Sequence, residues 1–288
     1  KKMSSLMEEG LISENSKVVL VNDGSKDKTW EIITKIHKEN HMYVGINLTR
    51  NRGHQNALLA GLMYAKNHAD ICISMDADLQ DDINVMDDMI KKYNAGADVV
   101  YGVRSSRKKD TFFKKFTAEA FYKLMNIMGV EVVFNHADCR LMSKRALEGL
   151  SEFKEVNLFL RGIVPQVGYK TDIAYYERSE RVAGESKYPL KKMLAFAIDG
   201  ITSFSIKPLR MITSIGFIIL ILSFVVLIYS VIMKLIGNTV SGWTFIVCSI
   251  WLIGGIQTLC LGVIGEYIGK IYKETKARPR YIIECVLD

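Results

Sequence analysis

At 288 residues with a formal charge of +7, the chain has room for one globular unit of about 200 residues and a smaller second part. No RNA- or DNA-binding signature accompanies the basic excess, which excludes a nucleic-acid footprint and leaves an address for anionic lipid headgroups. Five cysteines without paired spacing (Cys72, Cys139, Cys248, Cys260 and Cys285) argue against a disulfide framework and a zinc site. They fit a reducing compartment, and each histidine (His37, His41, His54, His68, His136) reads as a surface or packing residue.

Apolar runs then alternate with helical patterns. Val18 to Val21 predicts a buried strand, Thr29 to Glu39 a helix, Tyr43 to Leu48 a strand and Gln55 to Lys66 a helix. Ile71 to Met75, Val85 to Tyr93 and Asp98 to Tyr101 predict strand, helix and strand. This order predicts an α/β fold with a mostly parallel sheet and helices on both faces. After Arg104 come a basic loop from Ser105 to Lys109 and an amphipathic helix from Phe112 to Met128. A helix from Ser143 to Leu150 and a strand from Thr171 to Tyr176 lead to the segment Arg181 to Tyr188.

From Pro189 to Phe204 apolar residues recur at helical spacing beside Lys191 and Lys192, predicting a helix in the membrane interface. Ile212 to Met233 and Trp243 to Ile264 are nearly uncharged, and each exceeds the roughly 20 residues a helix needs to span a hydrocarbon core. Lysines and arginines flank the outer ends of this pair, whereas the connecting loop carries only Lys234, so both termini are expected on the cytoplasmic side of the plasma membrane. The predicted organisation is a catalytic domain over 1–187, an interfacial helix over 188–209, two transmembrane helices over 210–272 with a loop at 234–242, and a cytoplasmic basic tail over 273–288. Gly254, Gly255, Gly262, Gly265 and Gly269 would permit close contact between helices in the bilayer.

The strongest chemical signal is Asp76-Ala77-Asp78-Leu79-Gln80-Asp81-Asp82, where a hydrophobic strand ends. Ligands of open parallel sheets gather beyond the carboxyl ends of strands. Two carboxylates one residue apart in such a loop can hold a hard divalent cation, Mg2+ or Mn2+, beside a diphosphate. A solvated acidic turn ahead of the next helix is the alternative reading. Asn22-Asp23-Gly24-Ser25 closes an earlier strand at the same sheet edge, where Asp23 could accept hydrogen bonds from a base or ribose, or simply form an Asx turn.

Val21 to Asp27, Asn51 to Gly61 and Asp76 to Asp81 resemble successive blocks of glycosyltransferase family 2. Arg181-Val182-Ala183-Gly184-Glu185-Ser186-Lys187-Tyr188, followed by an amphipathic helix and two spans, is similar to the polyprenyl-phosphate branch of that family, the relatives of bactoprenol glucosyltransferases and dolichol-phosphate mannosyltransferase. The resemblance implies a GT-A-type Rossmann-like catalytic domain that moves a hexose, with inversion, from a nucleotide sugar such as UDP-glucose to a polyprenyl phosphate such as undecaprenyl phosphate, for cell-envelope glycosylation. It implies that Asp23 recognises the nucleotide, that Asp76 contacts ribose or metal, and that Asp78 and Gln80 complete the metal site. Two phosphorylated substrates need cations to bring them together, and Arg104, Arg181 and Lys187 are the candidates, with Lys114 and Lys115 weaker ones. A solvated surface charge is the alternative for each, and the family block adds Ser186 and favours Arg181 and Lys187. Asp138-Cys139-Arg140-Leu141 looks like the branch's Asp-Phe-Arg-Leu block, whose Asp is the proposed base, with Cys139 in place of the aromatic. A phosphate monoester carries about −1.5 to −2 charge near neutral pH and scarcely needs a base, so Asp138 has a second reading as a residue that orients the acceptor or finishes the sugar pocket.

The resemblance also implies a homo-oligomer, a tetramer, and a flippase partner. A GDP-mannose-dependent lipid mannosyltransferase and a catalytically silent membrane adaptor are the alternatives. The family pattern begins with a hydrophobic strand and a Pro-x-Tyr-Asn-Glu-like block, whereas this sequence opens at Lys1-Lys2-Met3 in a helix-like stretch. The first strand is therefore expected to be absent from the chain as written, leaving the sheet short of an interior member.

Overall fold

The computed structural model describes residues 1–78, 80–104, 136–177, 201–202, 205–237 and 242–288. The predicted basic loop at 105–109, the helix from Phe112 to Met128, the Arg181 to Tyr188 block and nearly all of the interfacial segment from Pro189 to Phe204 lie outside the described residues. Helix α1 (Lys2–Glu8) precedes strand β1 (Val18–Asn22), α2 (Thr29–Glu39), β2 (Tyr43–Leu48), α3 (His54–His68), β3 (Ile71–Ser74), α4 (Val85–Asn94) and β4 (Val99–Arg104). Then come β5 (His136–Ser143), α5 (Lys144–Ser151), α6 (Leu160–Gln166), β6 (Thr171–Tyr176), α7 (Lys207–Leu235), α8 (Trp243–Thr275) and β7 (Ile283–Leu287).

Helices cover both faces of the larger sheet, whose order is β3-β5-β4-β6. Alternation along β4 explains how. Val99, Tyr101 and Val103 point to one side, where Leu59 and Leu62 of α3, Leu147 and Leu150 of α5 and Ile163 of α6 complete a core. Val100 points to the other, meeting Leu6 of α1, Met89 and Ile90 of α4, and Leu141 of β5. Each such fully buried aliphatic side chain contributes about 1.5–3 kcal/mol, so Leu147→Ala would remove a substantial share of this layer's stability. Cys139, in the place of an aromatic, is fully buried in the second core; a Cβ on Gly102 would come within 3.1 Å of its sulfur.

Strand pairing is more mixed than the expected mostly parallel sheet. Parallel ladders join β1 to β2 and β4 to β6, whereas β5 runs antiparallel to both β3 and β4, and β7 runs antiparallel to β2. A parallel neighbour needs a crossover on a sheet face; β5 and β7 instead enter antiparallel, and neither was anticipated as a strand. The segment expected as a basic tail thus ends as the outer strand of the smaller sheet, β1-β2-β7. Among the described residues β1 pairs only with β2 and β3 only with β5, so the two sheets share no ladder, and α3 packs against both strands.

Helices α7 and α8 carry candidate membrane spans at Lys207–Val226 and Leu252–Thr275. No residue in those windows is buried within the chain, and Phe217, Ile218, Leu222, Leu259 and Leu261 are exposed. So large an apolar surface needs a lipid or protein cover. The Tyr267 hydroxyl donates to the Ser205 carbonyl at 2.5 Å, joining α8 to the residues that lead into α7.

Candidate active site

Asp23 follows β1, and both of its carboxylate oxygens are engaged, accepting from the Arg52 N–H at 2.7 Å and the Gly53 N–H at 2.9 Å. It therefore fixes the loop that starts α3. Gly24 lies against the same loop with φ +61°; a Cβ there would meet the Arg50 carbonyl carbon at 2.5 Å and the Asn51 nitrogen at 2.6 Å. Asp23 and Gly24 thus shape the turn that leads into α3.

That loop delivers His54 to the acidic edge. Its Nε2 stands 3.3 Å from Asp138 Oδ2 and 3.5 Å from Asp76 Oδ1. The ligand atoms of His54, Asp76 and Asp138 all lie within 4.8 Å of one another. His54, expected to be a surface or packing residue, is exposed, and its ring also bridges two candidate site carboxylates. Its place in the Asn51-Arg52-Gly53-His54-Gln55-Asn56 block was the available signal, which a search for paired histidines passes over.

Asp138 lies on β5 rather than in a loop or at a helix terminus. Arg140, two residues along and on the same side of the strand, donates to Asp138 Oδ1 at 3.0 Å and is 1% exposed. Arg161 of α6 adds a two-bond fork, Nε to Oδ1 and Nη2 to Oδ2, both at 3.1 Å. Burial alone would raise the Asp138 pKa; hydrogen bonds from His54 and Arg161 and the charges of Arg161 and Arg140 outweigh it and hold the carboxyl well below the usual range. A carboxylate so stabilised is a weak base. Its geometry suits the second reading, a residue that orients. Arg140 stands in the Asp138-Cys139-Arg140-Leu141 block without a role of its own there, and Arg161 carries no sequence signal that singles it out.

Asp76 follows β3, whose Ser74 hydroxyl donates to the Asp138 carbonyl at 2.8 Å and so ties the acidic loop to β5. Burial pushes the Asp76 pKa up; His54 opposes this, while Asp138, Asp81 and Asp78 add to it. The Asp78 carboxylate accepts from the Gln80 N–H at 3.2 Å, and Gln80 itself is buried. Asp81 accepts from the Tyr176 hydroxyl at 2.6 Å, pinning the loop to the end of β6.

The expected ligands Asp76, Asp78 and Gln80 thus share one short loop, while the tightest group pairs Asp76 with His54 and Asp138. The donor set fits a hard divalent cation. Burial and the charges of Asp138, Asp81 and Asp78 raise the proton affinity of Asp76, a crowding that a cation would relieve. The side chain of Arg104, at the end of β4, lies outside the described residues, as do Arg181, Ser186, Lys187, Lys114 and Lys115.

Comparison with known proteins identifies the family. The glycosyl transferase family 2 model matches residues 3–151. The chain is 54% identical over 282 residues, 98% of its length and 84% of the relative's, to an uncharacterized glycosyltransferase, YkoT, of Bacillus subtilis (strain 168). It is 44% identical over 280 residues to the prophage bactoprenol glucosyl transferase homolog of Escherichia coli (strain K12), covering 96% of this chain and 91% of that protein. It is also 44% identical over 269 residues to the bactoprenol glucosyl transferase of Shigella phage SfX, covering 93% and 88%.

Proposed function

Because the chain belongs to glycosyl transferase family 2, we propose that it transfers a hexose from a nucleotide diphosphate sugar, UDP-glucose or a close analogue, to a polyprenyl phosphate. The observation that carries this reading is the convergence of Asp76, His54 and Asp138 beyond the carboxyl end of β3, in a head that continues into two long apolar helices. The names of the bactoprenol glucosyl transferases it resembles support the lipid acceptor.

In this reading an acceptor phosphate oxygen attacks the anomeric carbon, the carbon–oxygen bond to the diphosphate breaks, and the configuration inverts in one displacement. A divalent cation, Mg2+ or Mn2+, held by Asp76 and Asp78 supplies neutralisation of the diphosphate's charge when bound. Asp138, locked by Arg140 and Arg161, orients rather than deprotonates, since the acceptor already carries its negative charge. His54 joins the orienting carboxylate to Asp76. Arg104, Arg181, Ser186 and Lys187 are proposed to hold the two phosphorylated substrates together. The catalytic head and both termini face the cytoplasm in this proposal.

The test is thin-layer analysis of lipid products from purified full-length chain, undecaprenyl phosphate and a panel of labelled UDP- and GDP-sugars. A labelled polyprenyl-phosphate sugar that forms with one UDP-hexose and disappears in Asp78→Asn is the expected result. Transfer from GDP-mannose alone would replace the donor assignment; an unchanged rate in Asp78→Asn would remove the metal assignment.

A further inference from the structure

Glu274 sits in the last turn of α8, at the end of the second candidate span. A carboxylate there opposes the helix dipole, which favours cations at a C-terminus by about 0.3–1 kcal/mol. The compensation lies across the interface with the head. Glu274 Oε2 accepts the Val156 N–H at 2.8 Å, and Oε1 accepts both the Asn157 N–H at 2.7 Å and Asn157 Nδ2 at 2.9 Å. Six residues on, Arg280 Nη1 donates to the Phe153 carbonyl at 2.9 Å. Glu274 and Arg280 therefore grip the α5–α6 loop by its backbone at two places, Phe153 and Val156-Asn157.

That loop leads straight to the site. Three residues beyond Asn157, the Leu160 N–H donates to Gln55 Oε1 at 2.8 Å, next to His54, and the Leu160 carbonyl accepts from Arg140 at 3.4 Å. The following residue is Arg161, whose fork holds Asp138. One unbroken stretch, 153–161, thus has a span residue at one end and the orienting carboxylate at the other.

We propose that Glu274 is a positioning residue for transfer: it fixes the register of 156–157, and through α6 the Arg161–Asp138 fork, so that the site is set only when the head is seated on its membrane helix. This rests on the reading of Asp138 as part of the transferase site.

The test uses full-length chain in nanodiscs. Glu274→Ala removes all three acceptor contacts; Glu274→Gln keeps one carbonyl oxygen for Asn157 and presents a donor to Val156. The expected order of kcat is wild type, then Gln, then Ala, with Ala down by about tenfold and the KM for nucleotide sugar unchanged, because the loops of Asp23 and Asp76 are untouched. Against an Arg161→Lys background, Glu274→Ala should cost little further, since both act on one fork. Fully multiplicative losses, or a kcat that follows only the folded fraction, would overturn the proposal. Hydrogen exchange reads the same coupling without turnover. Amides of Val156, Asn157 and Arg161 should exchange faster in Glu274→Ala while those of β4 do not, and unaltered exchange at Arg161 would also overturn it. A silent wild type whose Glu274→Ala variant still loosens Arg161 would instead count against the transferase reading alone.

Discussion

The guanidinium of Arg161 and the carboxylate of Asp138 meet as a parallel fork with two bonds of 3.1 Å, contributed by a helix and a strand more than twenty positions apart. Lysine cannot reproduce that planar geometry. Arg161→Lys is expected to lower kcat/KM for lipid-sugar formation by about tenfold, close to 1.4 kcal/mol of lost transition-state positioning. Asp138→Asn has a second effect, because it leaves Arg140 buried without its charge partner. A stability loss of about 3 kcal/mol is expected, read as a lower unfolding midpoint; an unchanged midpoint would mean that Arg140 finds another partner.

Gly24→Ala should damage the mouth of the site. The new methyl would press on the backbone of Arg50 and Asn51 from a left-handed conformation, displacing the loop whose N–H groups Asp23 holds. We expect a loss of more than about 1 kcal/mol in stability and a raised KM for nucleotide sugar. Steady-state kinetics beside thermal unfolding checks both.

Acid should weaken the far end of the larger sheet through Asp98. Hydrogen bonds from the Arg145 guanidinium, with a further one from Ser143, hold the Asp98 carboxyl below its ordinary value against the opposing effect of burial. A depressed carboxyl stabilises the fold fully above the unfolded value near 3.9, and that contribution is lost as pH falls through the lower folded value. The Arg145 side chain is 62% exposed, so solvent screening keeps the effect small. The stability gap between wild type and Arg145→Met, measured by urea unfolding, should shrink from pH 5 to pH 2.5. A gap independent of pH would assign Arg145 a packing role, consistent with its place over the Tyr169 ring.

Chelation gives a separate check on the acidic loop. Dialysis against EDTA should abolish transfer, and Mg2+ or Mn2+ should restore it, with the midpoint of restoration shifted to higher metal in Asp76→Asn. Full activity after chelation would leave Asp76 and Asp78 with a purely structural part.

Much of the head was legible because its elements follow simple periods. The strands at Tyr43–Leu48 and Thr171–Tyr176 and the helix at Thr29–Glu39 coincide with the apolar patterns read from the sequence. What escaped was set by distant partners. In β5 an aspartate and an arginine share one side of a strand, a composition that disfavours strands until each charge neutralises the other in the interior. In β7 a short run, Ile283–Leu287, becomes a strand only because β2 offers an edge. Within the site, Asp76 and Asp138 stood out as acidic residues in recognisable blocks, whereas Arg161 belongs to an unmarked helix and matters only through where α6 is carried.

Asn47 on β2 donates to Glu284 on β7 at 2.6 Å across a separation of 237 residues. A ribosome delivers β2 early and β7 last, after both apolar helices have left the exit tunnel. Throughout that interval the outer edge of β2 is bare, the state in which strands find wrong partners. The head is therefore finished only after both apolar helices have been made, and trimming the chain ahead of α7 would leave that edge uncovered by β7.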